Sequence, residues 1–209
     1  MFNVFLFFIC LIIYIHIYLH FKINPLNELN ILTEYSKQEI SNTCYYKLPF
    51  KLDGNSFLST LDLNKCTKHL NYYIKEYTST PLLEPYVKFF TKNKIYKLKN
   101  NKYIDLHKNL ECRNFYIVHK GTATILCIHP KYSEHFNLIT KNTQDFIDNH
   151  TDIIKVELKE KEIVFIPNYW HVSVKSNHKN TIIEKLQYST ILNNFTIFTH
   201  NFFTKHKIL

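Results

Sequence analysis

The chemistry in this chain concentrates in one tract. Val156-Glu157-Leu158-Lys159-Glu160-Lys161-Glu162-Ile163-Val164-Phe165-Ile166-Pro167-Asn168-Tyr169-Trp170-His171-Val172-Ser173-Val174 reads as a strand, a tight charged turn, a buried strand ending at Pro, an aromatic loop, a His and a further strand. That order places the His171 imidazole beside an aromatic floor of Tyr169 and Trp170 at the mouth of a β-barrel. An inward imidazole at a barrel mouth is a position from which a metal is held. His119 and His129 fall at opposite ends of a predicted hairpin, and lone strand histidines of this kind are as a rule surface or core residues. Trp170, the one tryptophan, is expected to plug the core at the barrel rim, with Tyr169 beside it. Two familiar chemistries are excluded. The chain has only Gly54 and Gly121, so it holds neither a Gly-x-Ser-x-Gly elbow nor a glycine-rich phosphate loop.

The elements that must position these residues are mostly strands. Short β-rich runs recur at Lys94–Leu98, Asn114–His119, Thr122–Ile128, Ile153–Leu158, Glu162–Ile166, Val172–Lys175 and Thr181–Tyr188, separated by turn residues. Such a series predicts a sandwich or small barrel. Lys120-Gly121 predicts a hairpin turn with Gly121 at positive φ. Residues from Tyr132 to Asn149 predict an excursion outside the barrel, with a helical turn at Gln144–Asp148. Upstream, Asn27 to Ser41 predicts a linker and then a short helix beginning near Thr33, Glu34 and Ser36. Lys47-Leu48-Pro49-Phe50 predicts an edge strand cut short by Pro49, and Asp53-Gly54-Asn55 a turn. Ser59 to Tyr77 carries a loose helical stripe, and Tyr86 to Phe90 predicts another short helix.

Residues Met1 to Phe21 contain no Asp, Glu, Lys or Arg. At about 1.5 Å per residue, a helix over this run spans about 31 Å, the depth of a bilayer core. Tyr14, Tyr18 and His20 suit an interfacial rim, Lys22 is the first charge, and Pro25 ends the helix. The run lacks the basic front and small-residue cleavage site of a secretory leader. The expectation is a transmembrane anchor over residues 1–21, a linker with a short helix and edge strand over 22–50, and a folded domain over 51–209. The protein is then a single-pass membrane protein with the lipid bilayer as one partner and a protein as another. The positive-inside rule leans toward a cytosolic domain. The sequons Asn149-His150-Thr151 and Asn194-Phe195-Thr196 would be used only in a lumen.

The net charge of +9 comes from lysine, with Arg113 the single arginine. Nucleic-acid readers rely on arginine forks, so nucleic acid is not an expected partner. The Lys-rich stretch Lys88–Lys102, with Phe89, Phe90, Tyr96 and Tyr103 interleaved, is expected to be a solvated strand-and-loop face. The five cysteines, Cys10, Cys44, Cys66, Cys112 and Cys127, include no C-x-x-C pair and no zinc spacing. They read as reduced structural thiols, with a Cys44–Cys66 disulfide open to a domain in an oxidising lumen. With so little glycine, Asn and Asp are expected at the left-handed turn positions.

The tract from about His107 to Tyr188 resembles the cupin-like JmjC domain, a double-stranded β-helix (jelly roll). The first half of that pattern matches His107-Lys108-Asn109, then Asn114-Phe115-Tyr116-Ile117-Val118-His119-Lys120-Gly121, then Thr124–Ile128 and Pro130. The second half matches Val156 to His171. The resemblance implies a mainly β fold with peripheral helices. It also implies an Fe(II) site of two His and one carboxylate, with open positions for 2-oxoglutarate and O₂. Carried over, the metal residues are His107, Asn109 and His171, and the barrel mouth is Trp170, Tyr169 and Ala123. This sequence departs from the pattern three times. Asn109 replaces the carboxylate, although Asp105 and Glu111 lie nearby in a shifted register. His171 comes one residue before the family position, which is Val172, and a one-residue slip turns a strand side chain to the other face unless a bulge restores it. Ala123 stands where many members carry the lysine for 2-oxoglutarate, leaving Lys120 or Lys185 as substitutes. The expectation is a barrel that kept its fold and lost its iron chemistry, with a structural or protein-binding role and no cofactor. The alternatives are an Fe(II)/2-oxoglutarate hydroxylase acting on a protein side chain, and a different metal held by histidines alone.

Overall fold

In a computed structural model, residues 2–33, 36–54, 81–132 and 152–205 are described. The readings that fall on Ser59–Tyr77, Gln144–Asp148, Cys66 and Asn149–Thr151 lie outside them. Helix α1 (Phe2–Phe21) is followed by β1 (Asn30–Leu32), α2 (Lys37–Tyr45) and β2 (Phe50–Asp53). Then come β3 (Phe90–Leu98), β4 (Tyr103–Lys108), β5 (Arg113–Lys120), β6 (Ala123–Ile128), β7 (Ile153–Leu158), β8 (Glu162–Phe165), β9 (His171–Ser176) and β10 (Thr181–Ser189). A terminal helix, α3 (Ile191–Lys205), closes the described chain.

The strands form a six-stranded sheet ordered β1-β2-β8-β5-β10-β3 and a four-stranded sheet ordered β4-β9-β6-β7. From β3 to β10 the chain changes sheet at every step except β6 to β7, and β3-β10-β5-β8 faces β4-β9-β6-β7. This is the strand order of a double-stranded β-helix, so the fold is cupin-like. It is mainly β with a few helices.

Alternation decides what lies inside. Tyr116 and Val118 of β5, Ala123, Ile125 and Cys127 of β6, Val172 and Val174 of β9 and Ile183 of β10 share one buried cluster between the sheets. The opposite phase of the larger sheet, Phe115, Ile117, Leu186 and Tyr188, packs outward with Phe50, Leu52, Ile40 and Leu83. Ile40 and Cys44 of α2 and Phe50 and Leu52 of β2 thus pack on the outer face of the larger sheet. Strand β2 pairs with β8 from Phe50 onward, just past Pro49, and α2 starts at a capping box formed by Ser36 and Glu39.

The structure departs from the sequence reading in four places. Tyr86–Phe90 is not helical, and Phe90 opens β3, which pairs with β10 from Phe90 to Leu98. Strand β4 and helix α3 were not expected. Among the described residues the positive-φ positions besides Gly121 are Lys47, Asn101, Lys161 and Tyr169, so Asn supplies one of those four. Cys44 is a buried free thiol, in keeping with the reading of reduced structural thiols.

Helix α1 is long and apolar enough to cross a membrane, and almost all of it is exposed. Its last turn is seated on the barrel. His20 is 7% exposed. Its carbonyl accepts from Asn168 Nδ2 at 3.0 Å and from Lys47 Nζ, and its ring meets Asn193 Nδ2 at 3.2 Å. Phe21 stacks on Tyr169 with centroids 5.6 Å apart.

Candidate functional site: a buried lysine beside His107 in a cupin-like barrel

Strand β4 is an edge strand of the smaller sheet. Its register sets His107 opposite Val172 and Lys108 opposite His171. Directly opposed residues share a face, so His107 points with Val172 into the barrel. His171 points with Lys108 away from it. The bulge between Ile104 and His107 restores His107 to the inner phase. No equivalent irregularity rescues His171.

His107 Nδ1 lies 2.9 Å from the Asp105 carbonyl oxygen, so it donates there and carries the proton of the neutral ring. The Nε2 lone pair is then the acceptor. It meets Lys185 Nζ at 2.9 Å and Tyr116 Oη at 3.1 Å. Tyr116 Oη donates to Asn109 Oδ1 at 3.0 Å, which leaves Lys185 as the donor to His107. The nitrogen that would bind a metal is thus engaged by an ammonium. Burial, with the Lys185 charge next in importance, lowers the His107 pKa, while the bond to Asp105 opposes that shift.

Asn109 is fully buried, and its Nδ2 has no hydrogen-bond partner. Its backbone joins β4 to the aromatic loop: Asn109 N–H donates to the Trp170 carbonyl at 2.9 Å, and Tyr169 N–H donates to the Asn109 carbonyl. The Asn109 side chain is thus a neutral amide held at the inner end of β4. Asp105 is exposed. Glu111 pairs with Lys92 at 3.3 Å and accepts from Gln187. These residues do not fit an iron centre of two His and one carboxylate. The second imidazole is on the wrong face, the carboxylate is an amide, and the first imidazole's lone pair is taken.

Burial, with Lys108 and then His107 adding to it, pushes the His171 pKa down to about 4, so the ring is neutral at pH 7. Its Nδ1 is buried without a partner. Trp170 is 1% exposed within the inner cluster and meets His129 edge-on at 4.9 Å. It is a core plug. Tyr169 instead forms the seat for α1, and its φ of 69° is a left-handed conformation that bulky residues rarely adopt. Ala123 is not at the mouth. It pairs with Ser176 on β9, whereas His107 pairs with Val172, so it lies toward the far end of the barrel. His119 is buried on the outer phase, 2.7 Å from Glu184.

Of the two candidate lysines, Lys120 is exposed and Lys185 is buried. Lys185 shares its phase on β10 with inward-facing Ile183 and lies opposite Tyr116 on β5 and Lys94 on β3. Burial pushes its pKa down to about 8, with Lys94 and Lys92 adding to the fall and Glu111 opposing it. It borders a cavity of about 570 Å³ between the edge strands β3 and β4, together with Lys94, Tyr96, Tyr103, His107 and Glu111. The Lys-rich β3 face is therefore one wall of this cavity as well as a solvated surface. A second cavity, of about 510 Å³, lies at the end of α1 and reaches none of these residues.

No protein-family model and no curated protein matches this chain. Solved structures with a similar fold include Drosophila melanogaster CENP-C bound to CAL1, at 7% identity and TM-score 0.34, covering 46% of this chain and 60% of that one. RmlC from Streptococcus suis in complex with dTDP-D-xylose is 11% identical with TM-score 0.35, over 48% of this chain and 44% of that one. Lactobacillus farciminis oxalate decarboxylase in a formate complex is 10% identical with TM-score 0.35, over 48% and 25% respectively. This chain spans less than two thirds of each of these three structures.

Proposed function

We propose that this protein is a membrane-tethered cupin-like domain, JmjC-like in its sequence grammar, that binds a small anionic ligand and performs no iron-centred oxidation. The observation that carries this reading is Lys185. Its ammonium is buried, its hydrogen-bond partner is the neutral His107 ring, and it faces a cavity also bordered by Lys94. A buried ammonium without a contacting carboxylate is costly, and a carboxylate or phosphate entering the cavity would offset that cost. The ligand is held by charge and hydrogen bonds from Lys185, Lys94 and Tyr96. Anchoring by α1 is supported by its docked last turn: a leader cut away near residue 20 would take from Asn168 Nδ2 its partner and from Lys47 and Asn193 one partner each.

The test is thermal stability of the full chain in mild detergent with succinate, 2-oxoglutarate or inorganic phosphate, each with and without Mn(II). Saturation at about 100 times Kd adds about 2.7 kcal/mol, a rise of several degrees in Tm. The expected result is stabilisation by at least one anion that needs no metal and disappears in Lys185→Met. Stabilisation that requires Mn(II) and disappears in His107→Ala would overturn the reading in favour of the Fe(II)/2-oxoglutarate hydroxylase.

A further inference from the structure

Helix α3 is patterned inside out. Its buried positions are polar: Asn193 is 1% and Thr196 2% exposed. Asn193 bonds to the His20 ring and accepts from the Cys112 N–H, and Thr196 Oγ1 donates to the Leu192 carbonyl within the helix. Its large apolar side chains are among the exposed ones. Ile191, Phe195, Phe198 and Phe202 are 57%, 58%, 67% and 49% exposed. Spaced i, i+4, i+7 and i+11, they form one continuous stripe. A helix facing water would place these two sets the other way round. The helix has no acidic residue, so no carboxylate resists burial in lipid.

The position of the stripe names its occupant. Helix α3 packs against the last turn of α1, where Asn193 meets His20, and both His200 and Phe21 lie against Tyr169. The stripe lies on the face of α3 opposite these contacts, so it points away from the barrel beside the end of α1. Tyr45 and Tyr46, each 63% exposed, stand near the same end, where the Tyr46 carbonyl accepts from Asn24. Aromatic side chains of this kind populate the headgroup level. At about 1.5 Å per residue, the fifteen residues of α3 reach about 22 Å, too short to cross a core of about 30 Å.

We infer that α3 is an interfacial membrane helix that inserts Phe195, Phe198 and Phe202 into the acyl boundary and holds the barrel down on the bilayer beside α1. This rests on the reading of α1 as a span. The partner is lipid, met through apolar contact and not through a specific headgroup.

The experiment reconstitutes the full chain in phosphatidylcholine–phosphatidylserine vesicles containing a photoactivatable phospholipid and maps the labelled peptides. The expected result is label on α1 and on 191–202, with none on β6 or β7. In a Phe195→Asn, Phe198→Asn, Phe202→Asn variant, label on α3 falls to the level of those strands while α1 stays labelled. All three side chains are exposed, and an unchanged Trp170 emission checks that the fold is intact. Label on α1 alone overturns this inference and leaves the anchor standing. Label on neither helix overturns the anchor first. Undiminished α3 label in the variant, or cross-links joining α3 of two chains without lipid label, also overturns the inference.

Discussion

Replacing Lys185 by Met should make the protein more stable, and the gain should depend on pH. Met fills a similar unbranched volume without the charge. Burial lowers the Lys185 pKa from 10.5 to about 8. At about 1.36 kcal/mol per unit, holding the charged form in the fold costs about 3 kcal/mol relative to the unfolded chain. Removing the hydrogen bond to His107 Nε2 gives back about 1 kcal/mol. The variant should therefore gain about 2 kcal/mol at pH 7, about thirtyfold in the unfolding equilibrium. The folded-state pKa lies below the unfolded one. Between pH 8 and 10.5 the unfolded chain therefore binds more protons than the folded one, and the wild type recovers stability as pH rises through that window. The advantage of the variant should shrink by about 3 kcal/mol over the same range. Lys47, whose pKa burial also lowers to about 8, acts with the same sign, while the buried thiols of Cys44 and Cys127 and the phenol of Tyr188, raised by burial, act against it. Both proteins share these groups, so the difference isolates Lys185. The assay is urea unfolding in mild detergent from pH 7 to 10.5, followed by the emission of buried Trp170. A variant no more stable at pH 7, or a gap that stays flat with pH, would refute the reasoning.

Two further substitutions probe the frame around the site. Tyr116→Phe removes the hydroxyl that donates to Asn109 and contacts His107, leaves more buried polar atoms without partners, and should cost about 1–3 kcal/mol in the same urea assay. Gly121→Ala places a Cβ 3.0 Å from Thr181 Oγ1 and 3.2 Å from the Asn180 carbonyl at a φ of 79°. It should destabilise by more than the roughly 0.4–1 kcal/mol that such a change gains at an unstrained position, read as a fall in Tm.

Much of the barrel was legible in the chain because its inner strands are short β-rich runs between turn residues. Strand β4 was not. Tyr103-Ile104-Asp105-Leu106-His107-Lys108 lies at a sheet edge, is half exposed and carries a bulge, so its apolar alternation is interrupted. The segment before β3 resembled a helix locally, and pairing with β10 overrode that preference. Helix α3 escaped because its apolar residues do not face the core. At the site, the chance that His171 is out of phase could be raised from its spacing to Pro167, and the register settles which way it points. Lys185 could be named only as a substitute. The signal that singles it out is the alternation Ile183, Lys185, Gln187 on β10, a lysine in the phase that faces the barrel. That it meets His107 depends on the partnership of β10 with β5 and on the bulge in β4, which no local pattern encodes. Tyr169 as the seat of α1 was likewise invisible, because it depends on how the chain's two ends come together.

The central claim is that the Lys185 ammonium, and not a divalent metal, engages His107 Nε2. Electron paramagnetic resonance of Mn(II) tests it most directly, because free aquo-Mn(II) gives a six-line signal that shrinks on binding. With the full chain in detergent at pH 7, the signal should persist at its protein-free height, in the wild type and in Lys185→Met alike, because His107 alone does not make a Mn(II) site. Loss of the signal on wild-type chain, restored by His107→Ala, would contradict the account.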